Sequence, residues 1–490
     1  LMSSNKIYFS DFFKIDSKLL EEYGAFNVSL VNDLPLFIDP FLIFCNEETE
    51  CQEMHDEIIK YLIYLRDRAA VEEFPSDGVL KYYYCFPEVK QNYLGFCKKG
   101  NSGSGLGLDF GRALHSGLTE VFKNFGEEIV SKGKHIEKVC LLKEGIGRDN
   151  ISDFITNLIK PYLLKYTEEF AKSYLSSTYC KIFKVDKVSF DYDRGVWLPK
   201  EYYLPAFNND YVLLTPANLL VRDEIWINRT DMLNNFERFS IAIPDEVLRM
   251  QVNEYFIQVL GEDKPTKKNR ENAATETIRR FPVLIDHYIR NQEDREKEAL
   301  ARSLSDVHGV KQVFIEQLLD LIDQLVSDTD FYSVKAKTSY EEAMERVLYL
   351  KHVIENCDGY RYFYDGDKPI HRESDLHIMY RLACCNTISD TNAEVNNGRG
   401  PVDFKLSQGS KDATLVEFKM ARTLKRNLEK QVDVYKNANG NPPAIKAIVF
   451  FTDEEMEKVY KILNDLGLTG KPGIVVIDAR KNNKIQASKA

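Results

Sequence analysis

The chain has 490 residues, more than one ordinary core accommodates, so two or three domains are expected. Hydrophobic residues make up 44%, charged residues 29% and aromatic residues 12%, which excludes an intrinsically disordered chain. The formal charge of −11 excludes a global attraction to nucleic acid, so any contact with phosphates must come from local basic surfaces.

From residue 1 to about 240, short apolar runs alternate with turn signals. Phe37-Ile38 before Asp39-Pro40, Tyr82-Tyr83-Tyr84, Tyr211 to Leu214 and Ile225-Trp226-Ile227 read as strands. Three- and four-residue apolar steps predict helices over Glu53–Ala70 and Ile151–Tyr174. This is a mixed α/β domain. The segment Lys98–Gly107 is rich in glycine but lacks the lysine and hydroxyl ending of a phosphate loop, so it reads as a flexible loop. Residues 241–357 turn almost wholly helical, a middle domain or an extension of the first. Within them Lys264–Arg270 reads as a basic loop ahead of a helix carrying Arg279 and Arg280.

Nine scattered cysteines, never in a C-x-x-C pair, and eight dispersed histidines predict neither a disulfide framework nor structural zinc. With no apolar leader and no uncharged apolar run of about 18 residues, the expectation is a cytoplasmic protein with no membrane partner.

Residues 358–490 carry the chemistry. A helix over 374–386 is followed by a strand Ala393–Asn396, a tight Asn397-Gly-Arg-Gly-Pro401 turn, and strands Val402–Leu406 and Ala413–Met420. Helix Thr423–Asn437, strand Ile445–Phe451, helix Glu454–Leu466 and strand Ile474–Ile477 complete the domain. Period-two geometry places Glu417 and Lys419 on one face of a Val- and Phe-rich strand, and Asp403 holds an equally unexpected place in the preceding strand. Burying three such groups unpaired costs several kcal/mol each, roughly, and a hard divalent cation held by the two carboxylates is the expected compensation. The competing reading is a plain acid–lysine ion pair on a half-exposed sheet.

The run Pro401-Val402-Asp403, followed fourteen residues after the aspartate by Glu417-Phe418-Lys419, resembles the motif of the PD-(D/E)XK nuclease superfamily, with one extra residue between proline and aspartate. Gln431-Val-Asp-Val-Tyr435 is similar to the Q-x-x-x-Y signature of its RecB-type branch. The resemblance covers about the last 120 residues. It implies a restriction-endonuclease-like αβββαβ fold, with Asp403 and Glu417 as ligands of Mg2+ or Mn2+ and Lys419 as the residue that positions water. A helix acid would be an auxiliary ligand: Glu373 is the choice, ahead of Asp375, and Glu394 on the strand before the hairpin is the alternative to a helix acid. Gln431 and Tyr435 would bind the scissile region or order the catalytic shell. Arg399 in the hairpin turn and Lys425, Arg426 and Lys430 on the following helix are candidates to meet the nucleic-acid backbone.

The expected protein is therefore an α/β multidomain chain: a mixed α/β domain over 1–240, a helical region over 241–357 and a metal-dependent nuclease over 358–490. DNA is preferred to RNA as substrate, in a setting similar to bacterial restriction or anti-phage defence. The first two regions are candidates for recognition, regulation or homo-oligomer assembly. A ribonuclease using the same site, and a non-catalytic nucleic-acid-binding scaffold, are the alternatives.

Overall fold

A computed structural model describes residues 8–30, 33–72, 74–95, 106–121, 125–141, 148–222, 224–261, 265–312, 338–356, 359–365, 368–369, 376–377, 380, 390–396, 401–408, 412–424 and 443–481. The chain divides into two compact units, one formed by Lys6–Phe96 with Gly103–Val310 and the other by Lys311–Ala490. The division between the units falls within the helical stretch 241–357. Its helices Glu246–Leu260, Lys267–Arg280 and Leu284–Glu293 belong to the first unit, while Ser339–Asn356 belongs to the second.

In the first unit, helix Thr49–Val71 buries Ile58, Ile59, Leu62, Leu65 and Ala69, the stripe expected from their spacing. The predicted helix over 151–174 is two helices, Arg148–Leu158 and Lys160–Tyr174. Pro161 explains the break, because a proline fits only the first turn of a new helix. Tyr82 and Tyr83 do not form a strand. They end the helix Asp77–Tyr83, which the Ser76 hydroxyl caps by accepting from the Val79 amide. Lys264–Arg270 is likewise not all loop, since Thr266 caps a helix that starts at Lys267.

The strand β1 (Phe37–Ile38) ends at Asp39, whose side chain caps the helix Pro40–Cys45. Two twelve-residue strands, β2 (Cys180–Asp191) and β3 (Val196–Phe207), form an antiparallel hairpin, with β4 (Asp210–Tyr211) on its far edge. The hairpin turns at Gly195, where φ is +66°. Short β5 (Leu220–Val221) pairs with β1.

Among its described residues the second unit has helix Ser339–Asn356 and the small pair β6 (Tyr364–Asp365) and β7 (Lys368–Pro369). Its centre is a five-stranded sheet in the order β12-β11-β10-β9-β8. Here β8 is Asp390–Asn396, β9 Pro401–Gln408, β10 Asp412–Met420, β11 Ala444–Phe450 and β12 Ile474–Asp478. Strands β8, β9 and β10 run antiparallel, whereas β10, β11 and β12 run parallel. Thr414, Val416 and Phe418 share one face of β10, and all three are buried. Ser339 bonds Thr414 there, and Tyr380 packs on Phe404 and Phe418. On the opposite face, Ile448 and Phe450 pack with Val459 and Leu463 of helix Asp453–Asp465. Among the described residues no helix is long and apolar enough to cross a membrane.

Candidate active site

The strand pairing sets the site. The antiparallel ladder of β9 on β10 runs in register from Gln408–Asp412 to Phe404–Val416 and stops there. One step further, the Asp403 carboxylate, not a β9 carbonyl, accepts a 2.6 Å hydrogen bond from the Phe418 amide. Asp403 therefore occupies the fork where the two strands part. Glu417 and Lys419 lie on β10 facing this fork, and the parallel register places Lys446 of β11 directly beside Glu417.

Three expected residues thus come together. Lys419 Nζ lies 3.3 Å from Glu417 Oε1 and 4.0 Å from Asp403 Oδ2. Two further residues join them. Lys446 Nζ is 3.3 Å from Glu417 Oε2, and His377 Nε2 is 3.4 Å from Asp403 Oδ2. Lys446 is only 3% exposed, so it is a true interior charge. The ring of His377 packs edge-on against Phe404.

The electrostatics follow from burial and pairing. Burial opposes ionisation of Asp403, but the His377 imidazole, the Lys419 ammonium and the Phe418 amide outweigh it and hold the carboxyl below its ordinary range. Burial pulls the Lys446 ammonium below the usual lysine range, against the support of Glu417. Among the described residues, Lys446 thus adds a second ammonium group beside Lys419 to the two carboxylates.

A divalent cation nevertheless fits this donor chemistry. Asp403 and Glu417 are hard oxygen donors on neighbouring strands, and His377 Nε2 is a buried nitrogen without an aligned hydrogen-bond partner. Among the described residues no three His, Cys, Asp or Glu side chains form a ready-made metal site. The expected auxiliary acid Glu373, with Asp375, lies outside the described residues, as do Gln431, Tyr435, Arg399, Lys425, Arg426 and Lys430. Glu394 is on β8.

Neither new residue was named from the sequence. Lys446 had a signal, a lone charge in the run Ala444-Ile-Lys-Ala-Ile-Val-Phe450, whose other members are apolar. His377 lies between the buried apolar residues Leu376 and Tyr380 and is one of eight histidines without ligand spacing.

The basic helix of the first unit offers no comparable site. Its Lys267, Arg270 and Arg279 are each paired, with Glu271, Glu237 and Glu276.

No curated protein and no solved structure matches the chain. Residues 14–228 are similar to a family described as a domain of unknown function (DUF8370). Residues 339–453 are similar to a second, also described as a domain of unknown function (DUF8371); that match begins at the first residue of helix Ser339–Asn356 and spans His377, Asp403, Glu417, Lys419 and Lys446.

Proposed function

We propose that the second unit is a divalent-metal-dependent nuclease of the PD-(D/E)XK type that hydrolyses phosphodiester bonds of DNA. The observation that carries this reading is the meeting of Asp403, Glu417 and Lys419, three residues picked out by motif spacing, at 3.3 and 4.0 Å about one ammonium group. The run of antiparallel β8, β9 and β10 followed by parallel β11 supports it.

In this reading Asp403 and Glu417 hold Mg2+ or Mn2+, with Glu373 as the auxiliary acid and His377 as a further donor beside Asp403. Once bound, the cation would polarise the scissile phosphate and make a water molecule more acidic. Lys419, between the two carboxylates, orients the attacking water and offsets charge that develops on the phosphate. Gln431 and Tyr435 order the site, while Arg399, Lys425, Arg426 and Lys430 contact the strand backbone. The first unit recognises substrate, controls cleavage or assembles the protein as a homo-oligomer, in a setting akin to restriction or phage defence.

A second reading, a nucleic-acid-binding scaffold that retains the fold without cleavage, has one observation in its favour: Lys446 already neutralises Glu417. Digestion of single- and double-stranded DNA and RNA by the full-length protein separates the readings. The nuclease cuts DNA with Mg2+ or Mn2+, stops with a chelator and fails as Lys419→Ala. Cleavage of RNA alone would reassign the substrate, and intact nucleic acid under all conditions would favour the scaffold.

A further inference from the structure

We propose that Lys405 is a phosphate-binding residue of the second unit, holding a backbone phosphate of the DNA strand beside the one that is cut. This rests on the reading of Asp403, Glu417 and Lys419 as a nuclease centre.

Strand alternation puts Lys405 on the face of that centre. On β9, Phe404 and Leu406 occupy one face and are 2% and 0% exposed, so Asp403, Lys405 and Ser407 share the other, where all three are half-buried. Lys405 lies in register with Leu415 of β10 on one side and Asn392 of β8 on the other. Two residues of strand, about 7 Å, separate it from Asp403.

Its pairing differs from that of the other two lysines at this face. Lys419 stands between Glu417 and Asp403, and Lys446 meets Glu417. Among the described residues Lys405 forms no ion pair and no side-chain hydrogen bond, and its register neighbour on β10 is an apolar leucine. A half-buried stem confines the ammonium group to the neighbourhood of the face instead of leaving it free to sweep through solvent.

The electrostatics give that charge a use. The chain as a whole carries −11, and the carboxylates of Asp403 and Glu417 add local repulsion, so a polyanion needs positive charge close to the centre in order to approach. Lys405 supplies it one face position from Asp403. Phosphate oxygens carry no base identity, so the contact fixes where the strand lies and not which sequence it has.

Binding of a labelled DNA duplex and of its separate strands to the full-length protein, titrated over a range of KCl with Ca2+ in place of Mg2+ so that binding is read apart from cutting, tests this. Lys405→Gln and Lys405→Met are expected to bind about five- to tenfold more weakly than the wild type at about 0.1 M salt, alike for unrelated sequences, with the slope of log affinity against log salt reduced by about 0.7–0.9. Lys405→Arg keeps the charge and is expected to stay near the wild type. Mn2+ binding, measured by calorimetry on the same preparations, should be unchanged in all three variants. Unchanged affinity and slope in Lys405→Gln and Lys405→Met overturn the proposal, and wild-type cleavage then leaves the nuclease reading standing. Loss of Mn2+ binding together with DNA binding in these two variants also overturns it, since Lys405 would then be holding the site in shape. A wild-type protein that neither binds nor cuts DNA overturns both.

Discussion

The carboxylate of Asp403 replaces a strand carbonyl as the acceptor of the Phe418 amide, at 2.6 Å, just where the β9–β10 ladder ends. One side chain thus performs two tasks, closing the backbone bonding of β10 and presenting negative charge to Lys419. Substitutions at this position separate the tasks. Asp403→Ala leaves a part-buried amide without its acceptor and is expected to cost about 1–3 kcal/mol. Asp403→Asn keeps an oxygen for the amide and is expected to cost less than about 1 kcal/mol. Both should lose metal-dependent cleavage. Hydrogen exchange at Phe418 reads the structural task directly: fast in the alanine variant, near wild type in the asparagine one. A fully active Asp403→Asn protein would remove Asp403 from the chemistry.

The first unit has its own buried ionic centre. Glu293, fully enclosed, accepts from the amides of Lys132 and Gly133 at 2.7 Å each, and His135 Nε2 lies 3.0 Å from its Oε1. Glu293→Ala strips three partners at once and is expected to destabilise this unit by about 3–5 kcal/mol. Glu293→Gln retains an oxygen for the amides and should cost less. Both tryptophans, Trp197 and Trp226, lie in this unit, so urea unfolding followed by their fluorescence reports on it alone. Equal losses in the two variants would show that the amide bonds contribute little.

Asp153, on helix Arg148–Leu158, gives a pH dependence of defined sign. Burial first, and then the neighbouring Asp149, Glu88 and Asp33, raise its carboxyl from 3.8 to about 8. The unfolded chain gives up this proton near the lower value, and the folded chain holds it to the higher one. Between them the unfolded state binds fewer protons, so stability declines as pH rises through the window. Asp153→Asn abolishes that decline. The variant should match the wild type near about pH 4 and exceed it by roughly 2–4 kcal/mol at about pH 8. A constant difference across the range would count against burial as the cause.

What could be read from the sequence followed the range of the forces involved. The strands of the second unit were legible because their alternation is local, whereas the pairing of the Asp403 strand with the Glu417–Lys419 strand entered the sequence reading only as a condition, which the β9–β10 register meets. Lys446 was not legible, because the register of a parallel pair is set across a long connection that leaves no local trace, and a lone lysine in an apolar run is equally consistent with a stem that snorkels to the surface. The Tyr82–Tyr84 run misled for the opposite reason. Aromatic residues favour strands on average, but the Ser76 cap and the burial of Leu80 committed the segment to a helix. The β2–β3 hairpin escaped notice where the register slips between Val185 and Ser189, which interrupts its alternation.

Lys419 and Glu417 are adjacent in the cluster but are expected to fail in different ways. On the proposed reading Glu417 is a ligand of the cation, so Glu417→Gln should lose both Mn2+ binding and cleavage. Lys419 lies 3.3 and 4.0 Å from the same two carboxylates, so on that reading it would compete with the cation and contribute only once a phosphate and its water are in place. Lys419→Ala should therefore bind Mn2+ at least as well as the wild type while its cleavage rate drops by about 10²–10³, the usual effect of removing one group that stabilises a transition state. Calorimetry and single-turnover cleavage on the same preparations measure the two quantities. Joint loss of binding and turnover in Lys419→Ala would mean that the lysine holds the carboxylates in place, and that its part in the chemistry is indirect.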